Sequence, residues 1–338
     1  MFDFDPDAAA RPDAGVFGLP HSQDDAALVL VPVPFDATTS YRDGTRCGPD
    51  AIAEASLQVD LFDLQFGKVW ERGIFLQEPD SQIVELARSA RRTAEPILQK
   101  GGAEAGDEDL VKQVDAASTE VTRVVRERTV AILQEGKIPG VVGGDHSCPL
   151  GAMQAIGEQG EFGVLHLDAH ADLRVAFEGF RESHASIFHN ALSEIPNLRH
   201  LVQVGIRDFG ERELEAIRES EGRVRTFFDL EWRRRLGDGD RLSAVCEDVV
   251  SSLPERVWIS FDIDGLDPSL CPNTGTPVPG GLQFHEACLL LEALTNSGRR
   301  IVGFDLCEVA PGDDGDSIDA NVGARILYKL CCAALITN

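Results

Sequence analysis

Five of the eight histidines fall between His146 and His189, and two of them stand in short clusters with carboxylates. Three polar clusters each follow an apolar run. Gly143-Gly144-Asp145-His146-Ser147 follows residues 138–142, Asp168-Ala169-His170-Ala171-Asp172 follows 162–167, and Asp262-Ile263-Asp264 follows 257–261. Taken together, His146, Asp168, His170, Asp172, Asp262 and Asp264 supply two neutral imidazoles and four carboxylates, a formal charge of −4. Four carboxylates packed together without cations would repel one another and take up protons. Two divalent ions offset them. Hard oxygen donors with a minority of imidazole favour Mn²⁺ among the first-row metals, with Fe²⁺, Co²⁺ or Ni²⁺ admissible, and the absence of thiolates from all three clusters argues against a structural zinc. Six side chains for two ions require some carboxylates to bridge, and water between two such ions becomes a nucleophile near neutral pH. Each cluster alone has an ordinary reading as a turn or helix cap; three of them at three strand ends do not. His166 alternates with Asp168 along its strand, the position of a buried partner rather than a ligand.

Something must bring these strand ends to one edge. Apolar runs at 27–33, 138–142, 162–167, 201–204, 224–228, 257–261 and 300–306 read as strands, and between them lie helical patterns, among them 107–135, 211–219, 241–252, 284–296 and 318–335. Strand alternating with helix implies a doubly wound α/β fold, its parallel sheet covered on both faces. Ligands of such a sheet bind outside the carboxyl ends of the strands, where all three clusters fall. Residues 1–24, rich in Asp, Ala, Pro and Gly without periodicity, read as a flexible tail; 25–338 reads as one domain, with a polar, helix-prone stretch at 80–115 as a candidate surface insertion.

The chain has 338 residues, ample for a large core, and carries 31 basic against 57 acidic side chains, net −26. That field repels phosphate backbones and anionic lipid, so nucleic acid and membrane surfaces are not expected as partners; it would attract a cationic small molecule, or serve only to keep the surface soluble. The five lysines among 31 basic residues suit a salty cytoplasm or GC-rich coding equally. No apolar run approaches the roughly 18 residues of a membrane span, and the acidic N-terminus lacks the basic start of a secretory signal, so a cytoplasmic protein is expected. The eight cysteines are scattered without a Cys-x-x-Cys pair, as small buried hydrophobes in a reducing compartment would be.

The sequence resembles the ureohydrolases, the family of arginase, agmatinase and formimidoylglutamase. The resemblance is carried by the three clusters, with Ser260-Phe261-Asp262-Ile263-Asp264-Gly265-Leu266-Asp267-Pro268 in full. Further matches are Pro34-Phe35-Asp36, Ser40-Tyr41-Arg42-Asp43-Gly44, Gly48-Pro49, Thr274-Gly275-Thr276-Pro277 with Gly280-Gly281, and the run from Asp305 to Pro311. It implies a three-layer α/β/α sandwich with a mainly parallel sheet, a two-manganese centre and a homotrimer or homohexamer. By position, His146, Asp168, Asp172 and Asp262 would hold one ion and Asp168, His170, Asp262 and Asp264 the other. Asp172 would also orient the nucleophile, Glu308 would grip the guanidinium, and His184 would pass a proton to the leaving amine. Ala185 stands where the family usually has Gly.

The same resemblance speaks to substrate. Arginases read the α-carboxylate and α-amino group of arginine with an Asn and an acidic residue, and at those positions this chain has Arg174 and Gly210. Agmatine is therefore expected over arginine, with a guanidino acid, free guanidine and formiminoglutamate as alternatives. Arg174 either faces the substrate tail, where it would select a carboxylate, or points into solvent and selects nothing. Two rivals are a deacetylase, which shares this fold but keeps fewer of these ligands, and a catalytically silent subunit, which the complete ligand set opposes.

Overall fold

The computed structural model describes residues 4–312 and 318–338. Among these residues eight strands form one sheet: β1 (Leu28–Val33), β2 (Ile74–Leu76), β3 (Ile138–Gly143), β4 (Phe162–Leu167), β5 (Leu198–Val204), β6 (Val224–Phe227), β7 (Arg256–Asp262) and β8 (Arg300–Cys307). Ten helices accompany them: α1 (Gly48–Ser56), α2 (Ser81–Leu98), α3 (Glu108–Gln134), α4 (Leu150–Glu158), α5 (Ile187–Glu194), α6 (Glu211–Glu219), α7 (Asp229–Gly237), α8 (Leu242–Ser251), α9 (Phe284–Asn296) and α10 (Ile318–Ile336).

Every strand pairing is parallel, in the order β2-β1-β3-β8-β7-β4-β5-β6. Strands buried on both faces have no polar side to alternate, which is why they appear in the sequence as continuous apolar runs. In β1, Leu28 and Leu30 join the core shared with α8, α9 and α10, whereas Val29 and Val31 join the core shared with α2, α3, α4 and α5. The three layers are thus helix, sheet and helix, as the motifs imply. From β3 the chain crosses to β4 and runs outward to β6, then returns to fill the gap with β7 and β8. The four strands whose ends carry chemistry, β3, β8, β7 and β4, therefore lie side by side at the centre. That is the crevice where such a sheet binds ligands.

Two local expectations change. The stretch 1–24, expected as a loose tail, contributes Val16, Phe17 and Leu19 to the core, and Phe17 meets Tyr328 edge-on at 5.0 Å. A few anchors spaced among Pro, Gly and Asp carry no period to read. The stretch 80–115, expected as a surface insertion, holds α2 and the start of α3; Ile83, Ala87 and Ala90 pack into the core beside Val29 and Val31. Its apolar face is built of alanine, so its composition looks polar. Among the described residues no helix is long and apolar enough to cross a membrane, and all eight cysteines are free thiols.

Candidate active site

The Gly143–Ser147 turn crosses the end of β1 at a distance that excludes a side chain. A Cβ on Gly144 would lie 2.0 Å from the carbonyl oxygen of Phe35. The approach lets Gly144 N–H donate to Val33 and Asp145 N–H to Phe35, which fixes where His146 starts. Gly265 serves the β7 end in the same way: its Cβ would meet the Asp168 nitrogen at 2.7 Å. Arg207 then ties that loop down, donating to the carbonyls of Asp264, Leu266 and Val278 at 2.7–3.1 Å.

These constraints bring all six sequence-derived ligands together. Nδ1 of His146 lies 3.0 Å from Asp168, 3.0 Å from Asp172 and 3.4 Å from Asp262. Nδ1 of His170 lies 3.1 Å from Asp264 and 3.5 Å from Asp168. The ligand atoms of His146, Asp168 and Asp172, and those of Asp168, His170 and Asp264, form two groups each within 4.8 Å, joined through Asp168. All but His170 are buried.

The surrounding network decides which histidine nitrogens are bare. Ser260 Oγ donates to Asp305 at 2.9 Å, so it accepts from Nε2 of His146 at 2.9 Å, and Trp258 completes Asp305 at 2.6 Å. In the neutral imidazole His146 Nδ1 is then a lone pair aimed at three carboxylates; without a cation, burial would lower the imidazole, but Asp168 and Asp172 hold it well above its ordinary value, so Nδ1 keeps a proton there. Thr226 donates to the Gln203 carbonyl at 2.8 Å, so the Gln203 amide donates to Nδ1 of His166 and leaves Nε2–H to donate to Asp168 at 2.8 Å. His166 is thus the buried partner expected of it. A lone pair facing carboxylates is repulsive unless a cation lies between them, and the donor set is one that divalent ions of the Mn²⁺ type accept. The residues fit two such ions.

Electrostatics agree. Burial, then Asp264, Asp168 and Glu308, holds Asp262 well above the usual carboxylate range. Burial and Asp168 push Asp172 up to about 7. Burial would raise Asp168 too, but His166, His146 and His170 together pull it well below its ordinary value. Without cations this cluster collects protons.

The sign of the pH dependence follows. Between the ordinary value of 3.8 and about 7, the folded, metal-free protein binds a proton on Asp172 that the unfolded chain does not. Metal-free stability therefore falls as pH rises through that window, while bound ions require ionised ligands and gain affinity across it. The rise in thermal midpoint on exchanging EDTA for Mn²⁺ is expected to be larger at pH 8 than at pH 5. An equal or smaller rise at pH 8 would count against this cluster as the metal site.

A cavity of about 260 Å³ opens over the cluster, floored by His146, Asp172, Asp262 and Glu308. Glu308 follows β8 with φ 62°, and Asp172 has φ 54°. Such left-handed conformations cost non-glycine residues of order 1–2 kcal/mol each and persist only where several bonds enforce them. At Glu308 its N–H donates to Gly144, its carbonyl accepts from Thr274 at 2.8 Å, and Oε1 accepts from His146 N–H at 3.0 Å. At Asp172 the carbonyl accepts the first N–H groups of α5, from Phe188 and His189. Glu308 Oε2 is buried without a partner. Burial, then Asp145 and Asp264, raises its carboxyl well above the usual range, as for a group awaiting a cation.

His184 is half-buried in the cavity wall, 3.2 Å from Thr38 Oγ1 and edge-on to Phe177 at 5.9 Å. Desolvation, then His170 and His146, pushes its imidazole down to about 3, so it rests neutral at pH 7. Arg174 lines the same wall. Its guanidinium lies 4.9 Å over the Phe177 ring and 3.6 Å from Glu213, which also accepts from the backbone N–H groups of Leu173 and Gly210. The motifs do not single out Ser260, Asp305 or Gln203 as supports. Polar side chains inside otherwise apolar strands, at the paired register Ser260↔Asp305, are the signal that marks the first two.

Fold and site define the class: a parallel α/β enzyme with a buried His/Asp centre for divalent metal at its catalytic edge. The Arginase family profile matches residues 26–332, and the chain belongs to that family. The family's hydrolases depend on a binuclear metal centre. An N(1)-aminopropylagmatine ureohydrolase of Thermus thermophilus is 35% identical over 308 residues, covering 90% of this chain and 89% of that protein. A guanidinobutyrase of Pseudomonas aeruginosa is 29% identical, covering 94% and 91%. Among solved structures, proclavaminate amidino hydrolase from Streptomyces clavuligerus superposes with a TM-score of 0.75 at 23% identity over 98% of this chain and 100% of that one, a likeness of fold.

Proposed function

We propose that the protein hydrolyses a cationic guanidino compound to urea and an amine, with agmatine, giving putrescine, as the substrate, in the cytoplasm and as a homotrimer or homohexamer. His146, Asp168, Asp172 and Asp262 would hold one divalent ion and Asp168, His170, Asp262 and Asp264 the second, with Mn²⁺ favoured by the donor set. When bound, the ions supply a water acidified enough to attack near neutral pH. Glu308 accepts the guanidinium and turns its carbon toward the cluster. Asp172 accepts a hydrogen bond from the attacking water and fixes its direction. His184, neutral at rest, takes a proton and delivers it to the departing nitrogen.

The observation that carries this reading is the unpartnered Oε2 of Glu308, buried in the cavity beside the six ligands. A buried carboxylate stays ionised only opposite a cation, and a guanidinium is the cation whose carbon that chemistry would cleave. Agmatine is favoured over arginine because Arg174 and Gly210 replace the residues that would read an amino-acid head.

Urea release by the Mn²⁺- and Ni²⁺-loaded protein tests the reading over agmatine, N(1)-aminopropylagmatine, arginine, guanidinobutyrate, formiminoglutamate and guanidine. Agmatine is expected to exceed arginine at least tenfold in kcat/KM, the scale set by unpaired polar groups in a closed site. Arginine winning by that margin would overturn the substrate, and urea from none of them would overturn the class.

A further inference from the structure

We infer that Asp208 is the residue that selects the substrate's tail, by binding its distal ammonium group at the wall of the cavity that Glu308 lines. The inference rests on the ureohydrolase reading and deepens it: the substrate class is a guanidine carrying a distal cation.

Among the described residues, five carboxylates and one arginine line the cavity. Asp172 and Asp262 belong to the metal cluster, and Glu308 is left for the guanidinium. Glu213 is occupied by two backbone N–H groups, with Arg174 3.6 Å away. Arg174, exposed at the cavity wall, lies over the face of Phe177 with its guanidinium 3.6 Å from Glu213, so a carboxylate of the protein already stands beside its charge. The open alternatives for this residue thus reduce to a third: it lines the cavity, already paired. Among the described residues one carboxylate remains, Asp208.

Among the described residues, no hydrogen bond or ion pair engages the Asp208 side chain, and it is exposed at the cavity wall. Its backbone is nonetheless fixed, since Asp208 N–H donates to Ala169 at 3.0 Å and the residue pairs with His170 as an isolated parallel bridge. The adjacent Arg207, the natural partner for such a carboxylate, is turned away onto backbone carbonyls. A carboxylate on a fixed backbone, without a partner among the described residues, leaves a negative charge at the cavity wall for a ligand to meet. A dication with a flexible methylene chain satisfies both ends. About 260 Å³ is below the ~300–1,000 Å³ of sites for drug-sized ligands and suits a thin linear molecule.

The test compares agmatine with n-butylguanidine, the same chain without its amine, on the Mn²⁺-loaded protein. Wild type is expected to prefer agmatine in kcat/KM by about tenfold or more, chiefly through KM, the scale of one charge-assisted contact. Asp208→Asn should lower that preference about tenfold, and Asp208→Glu should restore part of it. Calorimetric titration with putrescine and butylamine reads the subsite without turnover: putrescine should bind the wild type more tightly, and Asp208→Asn should erase the difference. If the preference survives in Asp208→Asn, or both amines bind alike to wild type, the inference is overturned. Equal turnover of agmatine and butylguanidine would overturn it while leaving the ureohydrolase reading intact. Urea from neither, with the diamine preference present, would overturn that reading and support the subsite.

Discussion

Asp262→Asn is expected to strip at least one divalent ion from each chain and to lower turnover by at least about 10³-fold. The substitution is isosteric, and the Asn carbonyl can still accept the Asp264 N–H that Asp262 Oδ1 accepts at 2.8 Å, so the turn survives. What goes is charge. Four carboxylates opposite two divalent ions sum to zero; three leave an uncompensated buried positive charge, and removing one partner from a buried charge set is strongly destabilising to that set. Asp262 also stands 3.4 Å from His146 Nδ1 and caps the short turn that carries Asp264. Metal content per chain by elemental analysis, with urea release on the same sample, gives the answer. A variant that keeps two ions and normal kcat would remove Asp262 from the centre.

The ligands were legible because their constraint is chemical and local. Carboxylates and imidazoles at alternate positions just past an apolar run can be read from the chain, and the parallel sheet supplies the rest. The central strands were legible for the same reason, since continuous runs such as Phe162–Leu167 are the signature of burial on both faces. The edge strand Ile74–Leu76 was not: it has three residues, two of them half-buried, too short to show a pattern. Conformation was hidden as well. Nothing in the letters of Asp172 or Glu308 announces a left-handed backbone, because the bonds that enforce it come from Gly144, Thr274 and α5, distant in sequence. Arg174 was undecidable for a related reason. Whether it meets substrate depends on Glu213 and Phe177, and only the packing of α6 against the loop after β4 brings those three side chains together.

Glu308→Gln separates the two halves of the site, because it should leave both ions in place and damage only the grip on the guanidinium. Gln Oε1 can keep the 3.0 Å bond from His146 N–H, which anchors the side chain. Its amide then occupies the position of the unpartnered Oε2, presenting N–H donors where the carboxylate presented a negative charge. A guanidinium, itself all donors, would face them with no acceptor. Losing a buried countercharge costs about 3 kcal/mol, so kcat/KM should fall by about 10²-fold or more. The pairing is made in the ground state as well as during reaction, so much of the loss should appear as a raised KM. The pH behaviour should split with it. Protonating Glu308 removes the same countercharge, so as pH falls through its titration the wild type's KM should climb. The Gln variant has nothing there to titrate, and its KM should stay flat over the same range. A Gln variant with two ions and an unchanged KM would place the guanidinium elsewhere in the cavity, and with it the reacting carbon.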